Sequence, residues 1–286
     1  MTDVLLVTCA ALPAGEPGGD LVVRELADRG VSAAWVAWDD PGVDWAEARR
    51  VLIRSTWDYE RRRDEFIDWA RKVQQLTTLV NTAQVVEWNT DKIYLLDLIG
   101  AELPVVPTLG VDSEFELAPA VAAFEPAVVK PRVGAGGRGV VVFDLEPGGP
   151  EGLDESQLQP GPWVVQPLVE SVHTEGETSV FVLGGRVVSQ VRKLPAPGEI
   201  RVHEEYGGTA EAVEVTAEAG DLALRAVEVA EKLLATVLPY ARVDLMRLAD
   251  GQLVVSELEV VEPGLYLDVV PGNAAAFADV VADLLV

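Results

Sequence analysis

The stretch VVKPRVGAGGRGVVVF, Val128 to Phe143, contains three glycines in the spacing G-x-G-x-x-G, namely Gly134, Gly136 and Gly139. In a dinucleotide-binding unit such glycines leave a strand and open a helix. Here apolar, β-branched residues flank the glycines on both sides, with no helical period and no N-cap residue at the exit. The stretch therefore predicts two antiparallel strands joined by a glycine loop. Such a loop is either a plain tight hairpin or a flap whose backbone N–H groups cover phosphates.

The composition indicates a globular and strongly acidic protein. The chain has 286 residues, 49% of them hydrophobic and seven of them Trp, which is enough for two or three lobes. Its net charge of −25 argues against nucleic acid and anionic membranes as partners. The apolar runs are too short to span a bilayer. A single cysteine, and an N-terminus that lacks a basic region and reads as a strand, predict a cytoplasmic protein without a signal peptide.

The order of predicted elements divides the chain into three lobes. Residues 1–88 alternate strands and helices, which predicts an open α/β lobe with a parallel sheet. Residues 89–163 form a small α+β lobe around the glycine loop, and residues 164–286 form a second α+β lobe that begins at the strand WVVQPLV. The Pro- and Gly-rich stretch 146–162 is predicted to be a loop, or a short helix between loops.

Two lysines stand out because cations are scarce in this part of the chain. Lys92 is expected one turn into a helix over 91–98, with Asn89 or Thr90 as the N-cap. Lys130 ends the apolar strand before the glycine loop, where its side chain would point towards whatever the loop covers. The ordinary alternative is that both lysines are solvated surface charges.

Three carboxylates are predicted to converge in the hairpin formed by residues 241–261. Glu257 and Glu259 are two apart on one strand and therefore face the same side, while the partner strand can bring Asp244 opposite them. Such a set suits octahedral Mg²⁺. The alternative is a solvent-facing acidic stripe, which the alternating apolar residues and the lack of a neighbouring lysine in the hairpin disfavour.

Taken in order, these elements resemble the ATP-grasp superfamily over nearly the whole chain. The resemblance implies an ATP-grasp fold, in which an N-terminal open α/β lobe precedes two α+β lobes that clasp ATP. It also implies a nucleotide site: phosphate-binding lysines, a flexible flap, an adenine hinge in WVVQPLV and a ribose-binding carboxylate in EGETSV. The residues at these positions are Lys92, Lys130, Gly134, Gly136, Gly137, Arg138, Gln166, Leu168 (through its backbone) and Glu177.

YARVDL and SELEVVEP resemble the metal-binding signature of D-alanine–D-alanine ligases and ribosomal-protein glutamate ligases. By this resemblance Asp244, Glu257 and Glu259 bind Mg²⁺, and Arg242 contacts the substrate acyl group. The family usually has Glu-x-Asn at the metal and Glu in the hinge, whereas this chain has Glu257-x-Glu259 and Gln166. The additional acid should bind Mg²⁺ at least as well, but it leaves the number and geometry of the ions open.

A loop over residues 192–208 is expected to supply further cations. By resemblance, Lys193 and Arg201 reach the γ-phosphate and the group being transferred, and Gly207 and Gly208 belong to the substrate site. Spread negative charge on a transferring phosphoryl group explains why cations are needed there. The alternative is a mobile surface loop, and His203 within it reads as a polar surface residue.

IRSTWDY, residues 53–59, leaves a predicted strand at the end where open α/β sheets bind ligands. The candidate substrate residues are Arg54, Ser55, Thr56, Trp57, Asp58 and Tyr59, although the aromatic members could simply be packing anchors. With AWDDP and ELEVVEP, this motif most resembles the ATP-grasp subgroup that contains the O-ureido-serine cyclo-ligase of D-cycloserine biosynthesis.

These features predict an ATP- and Mg²⁺-dependent ligase that activates a small amino-acid-like carboxylate as an acyl phosphate for attack by an amine, with both groups in one molecule in the cyclo-ligase variant. A kinase-like phosphotransferase and a nucleotide-binding protein without turnover are the alternatives. The resemblance is compatible with a homodimer, since dimers are common among similar ligases.

Overall fold

The computed structural model describes residues 2–144 and 158–286, and its N-terminal part is an open parallel sheet. The strands lie in the order β2-β1-β3-β4 and all pair in parallel. Helices pack on both faces because the central strands are buried throughout. The predicted α/β lobe is therefore confirmed. Its elements are β1 Val4–Thr8, α1 Gly19–Asp28, β2 Ala33–Ala37, β3 Arg50–Ser55, α2 Arg63–Leu76 and β4 Thr78–Val80.

Two short helices connect this sheet to the next one, α3 Ala83–Asn89 and α4 Tyr94–Gly100. The prediction of one helix over 91–98 was wrong, as was its N-cap, because Thr90 and Asp91 separate the two helices. The Thr90 hydroxyl donates to the Val86 carbonyl, and the Asp91 carboxylate accepts the Ile93 N–H. Lys92 therefore lies in a turn, and its backbone N–H donates to the Arg132 carbonyl at 2.8 Å, beside the glycine loop.

The second sheet is antiparallel and carries the glycine loop. Ala127 pairs with Phe143 and Val129 with Val141, which confirms the two predicted strands around the glycines. Trp163–Pro167 also pairs within this sheet, so the predicted boundary between residues 163 and 164 was wrong. Most of the predicted loop at 146–162 lies outside the described residues. The elements are β5 Leu109–Val111, α5 Glu114–Ala122, β6 Ala127–Pro131, β7 Val141–Phe143 and β8 Trp163–Pro167, in the order β5-β8-β6-β7.

The third sheet is antiparallel, with its strands in the order β11-β10-β9-β12-β13. The predicted hairpin of residues 241–261 is present, and the third sheet contains a second hairpin whose strands are paired at Arg186 and Leu183. Lys193 belongs to a strand of this sheet, where it pairs with Glu177, and not to the loop that was predicted to hold it. The elements are β9 Glu177–Leu183, β10 Arg186–Leu194, β11 Thr209–Val213, α6 Ala217–Leu234, β12 Tyr240–Arg247, β13 Leu253–Glu259 and α7 Gly272–Asp283.

The apolar core runs across the predicted lobe boundaries. α4 packs with α6 and the third sheet in one cluster, and α7 packs with α1 in another. The second of these clusters joins the first and third sheets, whereas the second sheet has its own apolar cluster with α5. In the part of the chain that the structure describes, no helix is both long enough and apolar enough to cross a membrane.

Candidate active site

A cavity of about 390 Å³ lies where the second and third sheets meet the N-terminal lobe. Its walls combine backbone of the glycine loop with charged side chains of the third sheet. Most of the residues predicted from the sequence line it: Trp57, Lys92, Lys130, Gly134, Gly136, Gly137, Arg138, Gln166, Leu168, Glu177, Arg201, Arg242, Asp244, Glu257 and Glu259. The other predicted residues, Arg54, Ser55, Thr56, Asp58, Tyr59, Lys193, Gly207 and Gly208, do not.

The two lysines predicted to bind phosphates lie in this cavity with different partners. The Lys92 ammonium is 2.9 Å from a Glu257 oxygen and donates to the Gly134 carbonyl at 2.9 Å. Burial would lower the pKa of Lys92, but attraction to Glu257 outweighs it and raises the pKa. Burial does lower the pKa of Lys130, because Glu257 and Glu177 only partly offset it. An anionic ligand would therefore stabilise the charged form of Lys130 more than that of Lys92.

The three predicted carboxylates do converge. Asp244 lies directly opposite Glu257 in the β12–β13 register, and each of Asp244, Glu257 and Glu259 offers an oxygen within 4.8 Å of the others. Three carboxylate oxygens at this spacing fit a hard divalent cation such as Mg²⁺. The expectation that no lysine relieves the cluster was wrong, because Lys92 and Lys193 reach it from distant parts of the sequence.

Arg242 fixes two of these carboxylates. Its Nε and Nη2 donate to the two oxygens of Asp244 at 3.0 and 2.9 Å, and Nη2 also donates to Glu259. The Ser179 hydroxyl donates to Asp244 at 2.5 Å. Although burial would raise the pKa of Asp244, attraction to Arg242 and Lys193 holds it well below its usual range. Asp244 is therefore ionised and oriented before any ligand arrives.

Glu259 occupies the position where similar ligases have Asn, and its environment differs from that of Asp244. Burial, together with repulsion from Asp244 and Glu257, raises the pKa of Glu259 to about 8, against the attraction of Arg242. Of the three carboxylates, Glu259 is therefore the one whose pKa lies above its ordinary value, and a bound cation would stabilise its charge.

Lys193 lies beneath the cavity and not in its wall. Its side chain is 1% exposed, and its ammonium forms ion pairs with Glu177 and with Asp244, the latter at 3.4 Å. Burial would lower its pKa, but attraction to these carboxylates raises it. Lys193 therefore holds the positions of Glu177 and Asp244, and its predicted contact with the transferring group remains a prediction.

The predicted adenine hinge lines the apolar end of the cavity. The Gln166 amide donates to the Thr108 hydroxyl at 2.9 Å, which fixes the side chain within the wall. The backbone N–H of Leu168 donates to the Pro126 carbonyl at 2.8 Å, so this residue can offer an adenine only its own carbonyl. Glu177, predicted to bind the ribose, accepts from Ser256 at 3.2 Å and keeps a place in the wall.

The glycine loop closes over one side of the cavity, and we call residues 134–139 the flap. Gly136 and Gly137 have φ of 62° and 69°, a backbone region that favours glycine. Arg138, predicted to bind the nucleotide, is directed to the N-terminal lobe instead. Its Nε donates to Glu60 at 2.6 Å, and its Nη2 donates to the Trp57 carbonyl at 2.9 Å. Two of its five N–H donors are therefore already in use.

Residues 195–208 pack beside the flap and do not form a free surface loop. Arg201 and His203 line the cavity, and a Cβ on Gly137 would lie only 3.1 Å from His203 Nδ1. Gly207 and Gly208 face away from the cavity. A Cβ on Gly208 would lie 2.2 Å from the Val202 carbonyl oxygen, so the close backbone approach explains this glycine.

His203 was misread from the sequence as a surface residue. Its Nδ1 is buried without a hydrogen-bond partner among the described residues, and burial lowers its pKa to about 4. The imidazole is therefore neutral at pH 7. The burial of His203 arises because the flap packs over it, and a sequence does not show this packing. The only indication in the sequence is that His203 lies two residues after Arg201.

The segment 54–59 was predicted to bind substrate, but only Trp57 lines the cavity. Arg54, Ser55 and Thr56 are fully buried, and Ser55 donates to Thr8 at 2.8 Å. The remaining two are structural: Asp58 accepts the Trp38 indole N–H at 3.0 Å, and Tyr59 stacks on Phe66. These five residues lie outside the cavity wall, and the contacts of Ser55, Asp58 and Tyr59 just named lie within the N-terminal lobe; their predicted contact with substrate remains a prediction.

Glu16 and Tyr266 are among the cavity residues that the sequence analysis did not identify. Glu16 is 4% exposed and accepts from Arg54 and from the Leu265 N–H, both at 2.6 Å. Tyr266 lines the cavity beside Arg242, whose guanidinium carbon lies 5.7 Å from the ring centroid. Neither lies in a recognisable motif, so sequence alone offered no signal for them.

Comparison with known proteins agrees with this geometry. Residues 92–267 match the model of the prokaryotic glutathione synthetase ATP-grasp domain, and residues 4–81 match that of the D-cycloserine synthetase DcsG N-terminal domain. The chain therefore belongs to the ATP-grasp family, with the fold predicted above, and is an ATP-dependent carboxylate–amine ligase. That family uses ATP and Mg²⁺.

Among individual proteins, the cycloserine biosynthesis protein DcsG of Streptomyces lavendulae is 31% identical over 268 residues, or 90% of each chain. The crystal structure of D-cycloserine synthetase DcsG has a TM-score of 0.85 and 28% identity, covering 99% of both chains. A probable alpha-L-glutamate ligase of Shewanella halifaxensis is 28% identical over 179 residues, which are 61% of this chain and 37% of that protein.

Proposed function

We propose that this ligase converts a small amino-acid-like carboxylate into an acyl phosphate and that an amine of the same molecule then attacks it to close a ring. The similarity to D-cycloserine synthetase extends over the N-terminal lobe as well as the ATP-grasp lobes, and this supports ring closure. O-ureido-serine, the substrate of the subgroup that the sequence resembles, is therefore the first compound to test. The probable glutamate ligases match a smaller share of the chain.

One observation carries the proposal: the two lysines, the flap and the three carboxylates all line one cavity. Lys92 and Lys130 would hold the phosphates, and Asp244, Glu257 and Glu259 would hold Mg²⁺, which supplies positive charge to the phosphates when bound. A cavity of about 390 Å³ lies within the range typical of small-ligand sites.

The chain's own residues account for the chemistry that follows. Arg201 and Arg242 would orient the substrate carboxylate, and Arg242 has Nη1 left for this, since its contact with the Gly264 carbonyl is long at 3.3 Å. An oxygen of that carboxylate attacks the terminal phosphorus of ATP, and ADP leaves. The amine nitrogen then bonds to the acyl carbon, the C–O bond to phosphate breaks, and the nitrogen loses a proton. The flap would exclude water, which otherwise hydrolyses the acyl phosphate.

The decisive experiment measures ADP release with O-ureido-serine, other amino-acid analogues, amino acids and dipeptides, together with the product masses. Ring closure predicts free phosphate and a first product lighter than the substrate by one water. A product equal to acid plus amine minus water would instead show intermolecular ligation. A stable phosphorylated product would show a kinase, and no turnover with any compound would favour a binding protein.

The variant Asp244→Asn separates binding from catalysis. We expect it to lose most of its turnover, because one of the three oxygen sets for Mg²⁺ is weakened. Arg242 and Lys193 also lose a buried ionic partner in this variant, so its unfolding midpoint is measured beside its ATP binding and its activity. Full activity in this variant would contradict the proposed metal site.

A further inference from the structure

The flap is tied to the N-terminal lobe by a single carboxylate, that of Glu60. One Glu60 oxygen accepts the backbone N–H of Ala135 at 3.0 Å, and the other accepts Arg138 Nε at 2.6 Å. Arg138 also donates to the Trp57 carbonyl at 2.9 Å. Three hydrogen bonds from two flap residues, Ala135 and Arg138, thus connect the flap with one short segment, residues 57–60.

This contact differs from an ordinary surface ion pair. The Glu60 side chain is 12% exposed and that of Arg138 is 28% exposed, so water competes poorly for them. Both carboxylate oxygens are used, and one of them binds flap backbone. By contrast Arg61, 75% exposed, lies 3.9 Å from the same carboxylate and adds little.

The same short segment also reaches the cavity beside Gly264 and Arg242, which is where the substrate carboxylate would lie on the proposed function and is called the substrate end below. The Trp57 side chain lines the cavity, and its indole N–H donates to the Glu262 carbonyl at 3.2 Å. On the other side of the flap, Gly137 packs against Arg201 and His203. The flap is therefore held between the segment 57–60 and the loop that carries Arg201.

We propose that Glu60 is a positioning residue that holds the flap closed and so couples ATP cleavage to ligation. The proposal rests on the proposed function, because it assumes that the flap shields an intermediate from water. Opening the latch formed by Glu60 and Arg138 would expose that intermediate, and its hydrolysis would yield ADP and phosphate without ligated product. Trp57 would link the state of the latch to the substrate end of the cavity.

The test compares Glu60→Gln and Arg138→Met with wild type. Glu65→Gln is the matched control. Glu65 lies five residues after Glu60, on α2, its side chain is 67% exposed, and it lies no closer than 3.7 Å to its partner Arg62. Two quantities are measured: the ratio of phosphate released to product formed, and hydrogen exchange of the Ala135 amide without substrate.

Both latch variants should raise the exchange rate of this amide and the phosphate-to-product ratio. The largest expected increase is roughly ten- to a hundredfold, because this is the factor that corresponds to the loss of one hydrogen bond to a charged group. The control should match wild type. The exchanged pair Glu60→Arg with Arg138→Glu should recover part of the coupling. Unfolding midpoints identify any variant that has simply lost its fold. If Glu60→Gln unfolds, Arg138→Met still tests the proposal, because Arg138 lies on the flap.

Unchanged exchange and an unchanged ratio in both folded latch variants would overturn the proposal, as would an exchanged pair no better than the worse single variant. The two readouts also separate this proposal from the proposed function. Faster exchange in the latch variants with no ligated product from any compound would leave the latch standing and refute the ligation chemistry.

Discussion

Arg54 provides a sharp test, because sequence and structure assign it different roles. Its side chain is 0% exposed, and its Nη2 donates to Glu16 at 2.6 Å and to the Pro263 carbonyl at 2.8 Å. Nε and Nη1 have no hydrogen-bond partner among the described residues, and the guanidinium lies 4.7 Å from the Phe277 ring centroid. The charge is therefore stabilised by one carboxylate, one carbonyl and the aromatic rings.

The change Arg54→Met removes the cation and leaves Glu16 buried. Breaking one side of a buried ion pair costs about 3–5 kcal/mol, because the remaining charge is uncompensated. For a protein of this size each kcal/mol lowers the unfolding temperature by about 2–4 °C, so we expect a fall of roughly 10 °C. The double variant Glu16→Gln/Arg54→Met should recover much of this, because no buried charge is left unpaired.

Thermal unfolding followed by circular dichroism measures all three proteins, with Arg24→Met as control. Arg24 is 67% exposed and pairs with an equally exposed Asp20, so its loss should change stability by less than about 0.5 kcal/mol. If Arg54→Met unfolded within about 2 °C of wild type but raised the substrate KM, Arg54 would be a substrate residue and the structural reasoning would fail.

Three further predictions concern the cavity. Lys92→Met should weaken ATP binding by about tenfold or more in calorimetry, since a charged hydrogen-bond donor is lost, whereas exposed Lys72→Met should not. Gly137→Ala should reduce turnover, because its Cβ would lie 3.1 Å from His203 Nδ1. Gly198→Ala is the control for backbone strain, because Gly198 has a φ of 82° but a Cβ built there would have no atom within 4 Å. His203 is held neutral with a pKa of about 4 against an ordinary 6.5, so wild type should lose stability relative to His203→Gln as pH falls below 6.5. The difference should reach about 2 kcal/mol at pH 5 in urea unfolding, and parallel curves would show that the imidazole titrates normally.

The features that sequence predicted are those that local pattern determines. The β-branched runs around Gly136 could only be strands, and the two-residue spacing of Glu257 and Glu259 places them on one face whatever the rest of the fold does. Burial and ion pairing could not be predicted in this way. Arg54 lies near the end of β3 just as a ligand-binding residue would, and its contacts with Glu16 and with Phe277 of α7 make it a core residue.

Long-range ion pairs were missed for the same reason. The partner of Arg138 is Glu60, 78 residues earlier, and the partner of Glu257 is Lys92, which lies in a turn where a helix was predicted. Thr90 and Asp91 have only weak helix propensity. Their side-chain hydrogen bonds to nearby backbone therefore decide where the helix ends. In both cases the pairing depends on how separate lobes meet, which a single sequence does not contain.

The charge arrangement explains how so acidic a protein can accept a nucleotide. Its net charge is −25, yet two carboxylates at the centre of the cavity, Asp244 and Glu257, each lie beside a cation. Lys92 neutralises Glu257, while Arg242 and Lys193 neutralise Asp244. On the proposed function, a bound triphosphate would pair with Lys92 and Lys130, and Mg²⁺ would pair with the carboxylates. Such an exchange of partners would leave few buried charges unpaired and so would limit the large desolvation penalty of an isolated charge.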